Sequence, residues 1–133
     1  MKIAVAVTAT YARISGHAGR TRRWLVFETG PKGHILASRR VFLDPRQVFH
    51  HHPPGTPHPL DGVDAVIAAS AGEGFVTKMG KRGIRAALTA EPDPAKAACD
   101  LVLDRLTPPR PRPIGSLLCK AIDRLGGGHG HED

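Results

Sequence analysis

The chain has 133 residues, 41% of them hydrophobic, 23% charged and 5% aromatic, which suits one hydrophobic core and excludes two independent ones. Its formal net charge of +7 lies wholly in residues 1–60, where nine Lys and Arg stand against two Asp and Glu; residues 61–133 hold ten of each. No window approaches the run of about eighteen apolar residues that a membrane span needs, and the N-terminus has no leader-like stretch, so a cytoplasmic protein without membrane contact is expected.

Residues 2–8 (KIAVAVT) set Ile3, Val5 and Val7 against Ala4 and Ala6, so a strand here is apolar on both faces and belongs in the middle of a helix-covered sheet. Residues 24–28 (WLVFE) and 35–43 (ILASRRVFL) are two further apolar runs with Gly30, Pro31 and Gly33 between them, the pattern of a hairpin. Residues 44–60 hold five prolines and four histidines and read as a loop, with one turn of helix near residues 45–49. The pattern then becomes a strand at 64–69, a helix at 72–82 with Phe75, Val76 and Met79 inward, a strand at 84–89 and a helix at 94–106. Asp93 fits the N-cap of the last helix and Pro94 its first position. Alternation at this spacing implies a parallel βαβ unit, and the whole is an α/β domain, a mixed five-stranded sheet flanked by helices, over residues 1–107. Residues 108–113 (PPRPRP) form an extended tether. Beyond it, Ile114, Leu117, Leu118, Ala121, Ile122 and Leu125 fall at helical spacing, so a C-terminal helical tail either packs on the sheet or serves self-association through residues 114–125.

A one-sided basic surface favours an anionic partner: nucleic acid, a phosphorylated metabolite or an anionic metal cluster. A mixed sheet of this order invites comparison with ribonuclease H, whose two-metal chemistry needs converging carboxylates, one of them on the first strand. Residues 2–8 contain no acid, and Asp61, Asp64 and Glu73 stand near a single strand, so no nuclease is expected. There is no Gly-x-Ser-x-Gly, and Cys99 shares a helical face with Ala95, Val102 and Leu106, the setting of a buried small hydrophobe. Cys99 and Cys119 form no Cys-x-x-Cys pair, which leaves neither a disulfide framework nor a zinc ribbon. The histidines are the better lead, because neutral imidazole suits iron, zinc, nickel and copper. His50, His51, His52 and His58 match no closed tetrahedral motif and read as a loose cluster.

The segments around His17 and Gly72 sharpen this. The matching features are the opening strand, then Ile14-Ser-Gly-His17-Ala-Gly-Arg20, the apolar strand at 24–28 and the His-rich loop at 50–58. After these come Asp61-Gly-Val-Asp-Ala-Val-Ile67, Gly72-Glu-Gly74-Phe-Val and Lys81-Arg-Gly83-Ile84. In this order they resemble the dinitrogenase iron-molybdenum cofactor biosynthesis family, the small NifX-like and NafY-core-like proteins and the C-terminal domain attached to NifB, over roughly residues 1–106. The resemblance implies a ribonuclease H-like fold and a non-enzymatic carrier of iron-sulfur or iron-molybdenum cofactor precursors, with cofactor-assembly proteins as partners. It makes His17 the candidate cluster ligand. Ala18 stands where the family usually has an aromatic residue.

If the strand order is 3-2-1-4-5 with only strand 2 antiparallel, the loops after strands 1, 3 and 4 and the start of strand 2 open at one sheet edge, where open α/β sheets bind ligands. That mouth gathers His17, Arg20, Arg22 and Arg23 with the helix start at Gly72 and Gly74 as cofactor-binding residues, and His17, His50, His51, His52 and His58 as metal ligands. The alternative is a nucleic-acid or phosphate-ligand module that uses the same basic half, against which the scarcity of aromatic stacking platforms counts.

Overall fold

The computed structural model describes residues 1–110; the expected tail helix at 114–125, Cys119 and the histidines at 129 and 131 lie outside the described residues. The strands are β1 (Lys2–Ala6), β2 (Arg23–Thr29), β3 (Ile35–Phe42), β4 (Ala65–Ala68) and β5 (Arg85–Leu88), with helices α1 (Glu73–Lys81) and α2 (Pro94–Val102) following β4 and β5. They form one sheet in the order β3-β2-β1-β4-β5. Strand β2 pairs antiparallel with β1 and β3, whereas β4 and β5 run parallel to β1.

The double-sided apolar character of β1 has the expected cause. Ile3 and Val5 face α2 and pack with Phe27, Ile67, Ala97, Ala98 and Leu101. Ala4 and Ala6 face the other way, into a layer built by Trp24, Val26, Leu43, Phe49, Leu60, Phe75 and Met79. That second layer is closed by α1 and by the 44–60 loop, which crosses the sheet from the end of β3 to the start of β4. A proline-rich segment can do this because Val48, Phe49 and Leu60 are buried, each such large side chain contributing about 1.5–3 kcal/mol. Its one regular turn is a 3-10 helix at Pro45–Gln47, fastened where the Asp44 N–H donates to Gln47 Oε1 at 2.9 Å.

Several sequence expectations need correction at their edges. Strand β1 stops at Ala6 because Val7 leaves to bridge Ile14. Val76 is 46% exposed, so α1 buries Phe75 and Met79 alone. Helix α2 ends at Val102 rather than residue 106: Asp104 takes φ 56°, its N–H donates to the Leu101 carbonyl at 3.1 Å, and the Arg105 N–H reaches back to the Asp100 carbonyl at 2.9 Å. This is the two-bond stop that usually calls for glycine. Cys99 is half-buried rather than fully within the core. At the other end of α2, the Asp93 carboxylate accepts from the Ala95 and Lys96 N–H groups at 3.0 and 3.4 Å, as an N-cap should.

Strand β3 ends the sheet, and Leu36, Ala37, Ser38, Arg39, Arg40 and Phe42 on it are exposed. No helix among the described residues is long and apolar enough to cross a membrane.

Candidate functional site

Because β1 and β4 are parallel neighbours, the loops that leave them emerge at the same edge of the sheet, where β2 also begins. Ser15 stitches the two strand ends together: its N–H donates to the Ala6 carbonyl at 2.8 Å and its carbonyl accepts from Ala69 at 2.9 Å. The next three residues press against Ser70. The His17 N–H donates to Ser70 Oγ at 3.2 Å, and the Ala18 N–H to the Ser70 carbonyl at 3.2 Å. A Cβ on Gly16 would lie 2.7 Å from Ser70 Oγ, so glycine alone permits this approach. Ala18 is fully buried in the α1-side layer, and its small side chain lets the loop sit down on the sheet.

His17 itself takes φ 53°, in the left-handed region that side chains other than glycine enter at a cost. It is held there by the Ser70 bond, by the Arg20 N–H donating to its carbonyl at 2.8 Å, and by the Thr21 hydroxyl reaching the Gly16 carbonyl at 3.2 Å. The strain presents the imidazole outward; His17 is exposed. On its flank the His50 N–H donates to the Gly19 carbonyl at 2.7 Å, and an Arg20 guanidinium nitrogen lies 3.5 Å from His50 Nε2. Ser70 leads within two residues to Gly72, the N-cap of α1, which makes no side-chain capping bond, and a Cβ on Gly74 would meet nothing within 4 Å. His17, Arg20, His50 and the first turn of α1 therefore share one rim, joined through Ser70 and Gly19. Glu73 in that first turn partly balances the helix dipole, so the turn offers backbone donors more than net charge.

The other expected residues are placed differently. Arg22 and Arg23 lie at the same sheet edge, but both guanidinium groups sit over the Phe42 ring, 4.4 and 4.9 Å from its centroid, and Arg22 Nε donates to the Leu43 carbonyl at 2.8 Å. His51 is exposed beside His50, with ring centroids 4.9 Å apart. His52 and His58 turn into the 44–60 loop. His52 Nε2 faces the Pro57 carbonyl at 3.0 Å and the Thr56 hydroxyl at 2.9 Å; since that hydroxyl donates to the Pro53 carbonyl at 2.7 Å, Nε2 carries the proton. His58 is buried, stacked on Phe49 at 4.1 Å, with Nδ1 accepting from the Leu60 N–H at 3.0 Å and Nε2 donating to the Gln47 carbonyl at 2.7 Å. Both of its ring nitrogens are engaged. Among the described residues no group of three or more His, Cys, Asp and Glu is arranged to hold a metal ion, so the five histidines do not converge on one centre. Sequence reasoning missed Ser70, whose hold on the distant His17 and Ala18 leaves no local signal.

Burial pushes the His58 pKa below its ordinary 6.5, aided by His52 and Arg82 nearby, while the Gln47 carbonyl and Asp61 pull the other way. Below pH 6.5 the unfolded chain binds a proton that the folded chain resists. The stability contributed by neutral His58 is therefore complete above that pH and declines as pH falls through the lower, folded value. Urea midpoints measured from pH 7 downward should fall more steeply for the wild type than for His58→Gln; parallel profiles would assign the acid sensitivity to other groups.

Comparison with known proteins gives the family and the fold. The chain matches the family described as "Dinitrogenase iron-molybdenum cofactor" over residues 1–105, and it belongs to that family. The membership places it among proteins of iron-molybdenum cofactor biosynthesis. No curated protein matches the sequence. Among solved structures, a Methanocaldococcus jannaschii protein described provisionally as a dinitrogenase is similar in its crystal structure, with TM-score 0.59 and 16% identity over 80% of this chain and 92% of that one. Its solution structure gives TM-score 0.60 and 16% identity over 84% and 95%. A Thermotoga protein provisionally described as NifB gives TM-score 0.51 and 15% identity over 80% and 91%. At these identities the likeness is one of fold.

Proposed function

We propose that this protein is a non-catalytic, cytoplasmic carrier that holds an anionic iron-sulfur or iron-molybdenum cofactor precursor reversibly at the rim around His17. The observation that carries the proposal is the strained, exposed His17, fixed by Ser70 beside Arg20 and His50. The donor set fits such cargo. One imidazole supplies a single exchangeable bond to iron, and guanidinium groups add charge-assisted hydrogen bonds to sulfide or carboxylate oxygen. A cage of thiolates would bind too permanently for a molecule that must pass its cargo to an assembly protein. We read the sheet, with β2 alone antiparallel, as ribonuclease H-like, its first strand carrying no carboxylate that would serve phosphodiester hydrolysis.

The test is anaerobic incubation of the purified full chain with an iron-sulfur cluster donor, then desalting and visible absorption. Absorbance should travel with the protein, weaken with added salt, and fall for His17→Ala. Absence of uptake by the wild type would overturn the carrier reading, and equal uptake by His17→Ala would remove His17 from it.

A second reading, a nucleic-acid or phosphate-ligand module, draws on Arg22 and Arg23 over Phe42 and on Arg40 over Tyr11 at 4.3 Å. In these pairs guanidinium groups held over rings offer cationic surface on which bases can stack. Failure to retard single- or double-stranded nucleic acid at low salt dismisses this reading.

A further inference from the structure

A second concavity lies away from the His17 rim. Helix α1 starts beside Ser70, and its C-terminal half, carrying Lys78 and Lys81, stands across from residues 52–57 of the proline-histidine loop. Between them is a hollow of about 540 Å³, within the range typical of small-molecule sites. Its apolar surface comes from the rings of Pro54 and Pro57, with the buried Phe49 beneath them, and its polar edge from His52, Lys78 and Lys81.

The walls are fixed in advance. Arg82 straps the loop to the helix: one guanidinium nitrogen binds Asp61 at 2.9 Å, and the other donates to the Thr56 carbonyl at 3.1 Å and the Pro53 carbonyl at 3.4 Å. Phe49 is pinned between Trp24, Phe75 and His58, so the floor does not depend on a ligand. Lys78 Nζ donates to the Phe49 carbonyl at 2.8 Å, which orients the ammonium and leaves it two further protons. Gly55, at φ 79° with open space where a Cβ would lie, turns the loop without narrowing the opening.

The charge balance selects the ligand. Among the described residues Asp61 is the one acid lining the hollow, and Arg82 neutralises it, so Lys78 and Lys81 leave a net positive edge over an apolar floor. A bare inorganic anion would gain nothing from Pro54 and Pro57, and a neutral apolar molecule would gain nothing from the lysines.

We propose that this hollow binds a small organic anion, a carboxylate or phosphate carried on an apolar ring, with its charged head between Lys78 and Lys81 and its ring against Pro54 and Pro57. The site is independent of the carrier reading, because the residues that line it include neither His17 nor Arg20.

The test is titration of the ¹⁵N-labelled full chain with phenyl phosphate and phenylacetate, with inorganic phosphate and benzyl alcohol as probes that keep only the charge or only the ring. Amide shifts should concentrate at Phe49, Thr56, Lys78 and Lys81 and spare His17 and Gly74. The tighter of the two ring-bearing anions names the head group, and both single-feature probes should bind at least about fivefold more weakly than it. Lys81→Gln, at an exposed position, should weaken the tighter anion about fivefold or more with an unchanged melting temperature. Shifts centred on His17 and Gly74, a single-feature probe that binds as well as the ring-bearing anions, or an unchanged affinity in Lys81→Gln would each overturn the proposal. Loss of cluster uptake at the rim with these results intact would sink the carrier reading and leave this one standing.

Discussion

Glycine in place of His17 should leave the fold at least as stable as the wild type while cutting cluster uptake by about tenfold or more, a scale at which even the hydrogen-bond partners of metal ligands affect metal affinity. The two effects have separate origins. An L-residue in the left-handed region costs about 1–2 kcal/mol, whereas the extra freedom of glycine in the unfolded chain costs about 0.5–1 kcal/mol. Since the His17 side chain is exposed, its removal forfeits little packing, and the net change is a gain of up to about 1 kcal/mol. Alanine keeps the strained φ of 53° and also removes the imidazole, so His17→Ala should match His17→Gly in lost uptake and fall below it in stability. Denaturant midpoints and anaerobic uptake on the three proteins read both quantities. If His17→Gly is the less stable of the two variants, the backbone at this position is not strained; if it keeps wild-type uptake, the ring is not a ligand.

The largest loss of stability is expected from Phe49→Ala, about 3–5 kcal/mol. Phe49 is 2% exposed, with edge-on contacts to Trp24 and Phe75 at centroid distances of 6.0 and 5.7 Å and a stacked contact to His58 at 4.1 Å. Truncation opens a void that the three surrounding rings cannot close without leaving their rotamers, and it strands His58 beside an empty space. Domains of this kind are stable by about 5–15 kcal/mol in all, so the variant should remain folded at low temperature with a much reduced urea midpoint. The chemistry should suffer too. His50 follows directly, and its N–H bond to the Gly19 carbonyl ties the proline-histidine loop to the His17 turn. Phe49→Ala should therefore also weaken cluster uptake, whereas Phe49→Leu, which fills more of the volume, should lose less of both. Wild-type uptake in a destabilised Phe49→Ala would show that the two loops act separately.

Most of the sheet was legible because its signals are local. The paired apolar faces of residues 2–8 announce a central strand, which the structure ends at Ala6, Gly30 to Gly33 announce a hairpin, and Asp93 with Pro94 a helix start, both of which hold. What was not legible depends on partners distant in sequence. Asp104 stops α2 in a conformation that composition assigns to glycine, because the Asp100 and Leu101 carbonyls are there to be satisfied. Four histidines in one loop looked like one class of residue, yet the Gln47 carbonyl and the Leu60 N–H make His58 a core group, and Gly19 makes His50 part of the rim. The candidacy of His17 came from its motif; its left-handed backbone and its tie to Ser70 had no such signal, since no local pattern announces a contact 53 residues away.

Strand β3 carries a last consequence, for colloidal behaviour. Among the described residues β3 is a terminal strand of eight residues, and an edge of this kind is the template on which a second polypeptide can extend a sheet. Adjacent Arg39 and Arg40 sit within that ribbon, so two molecules approaching there head to tail bring guanidinium against guanidinium. That like-charge contact should oppose ribbon-like self-addition in concentrated solution, and neutralising the two arginines is expected to favour it.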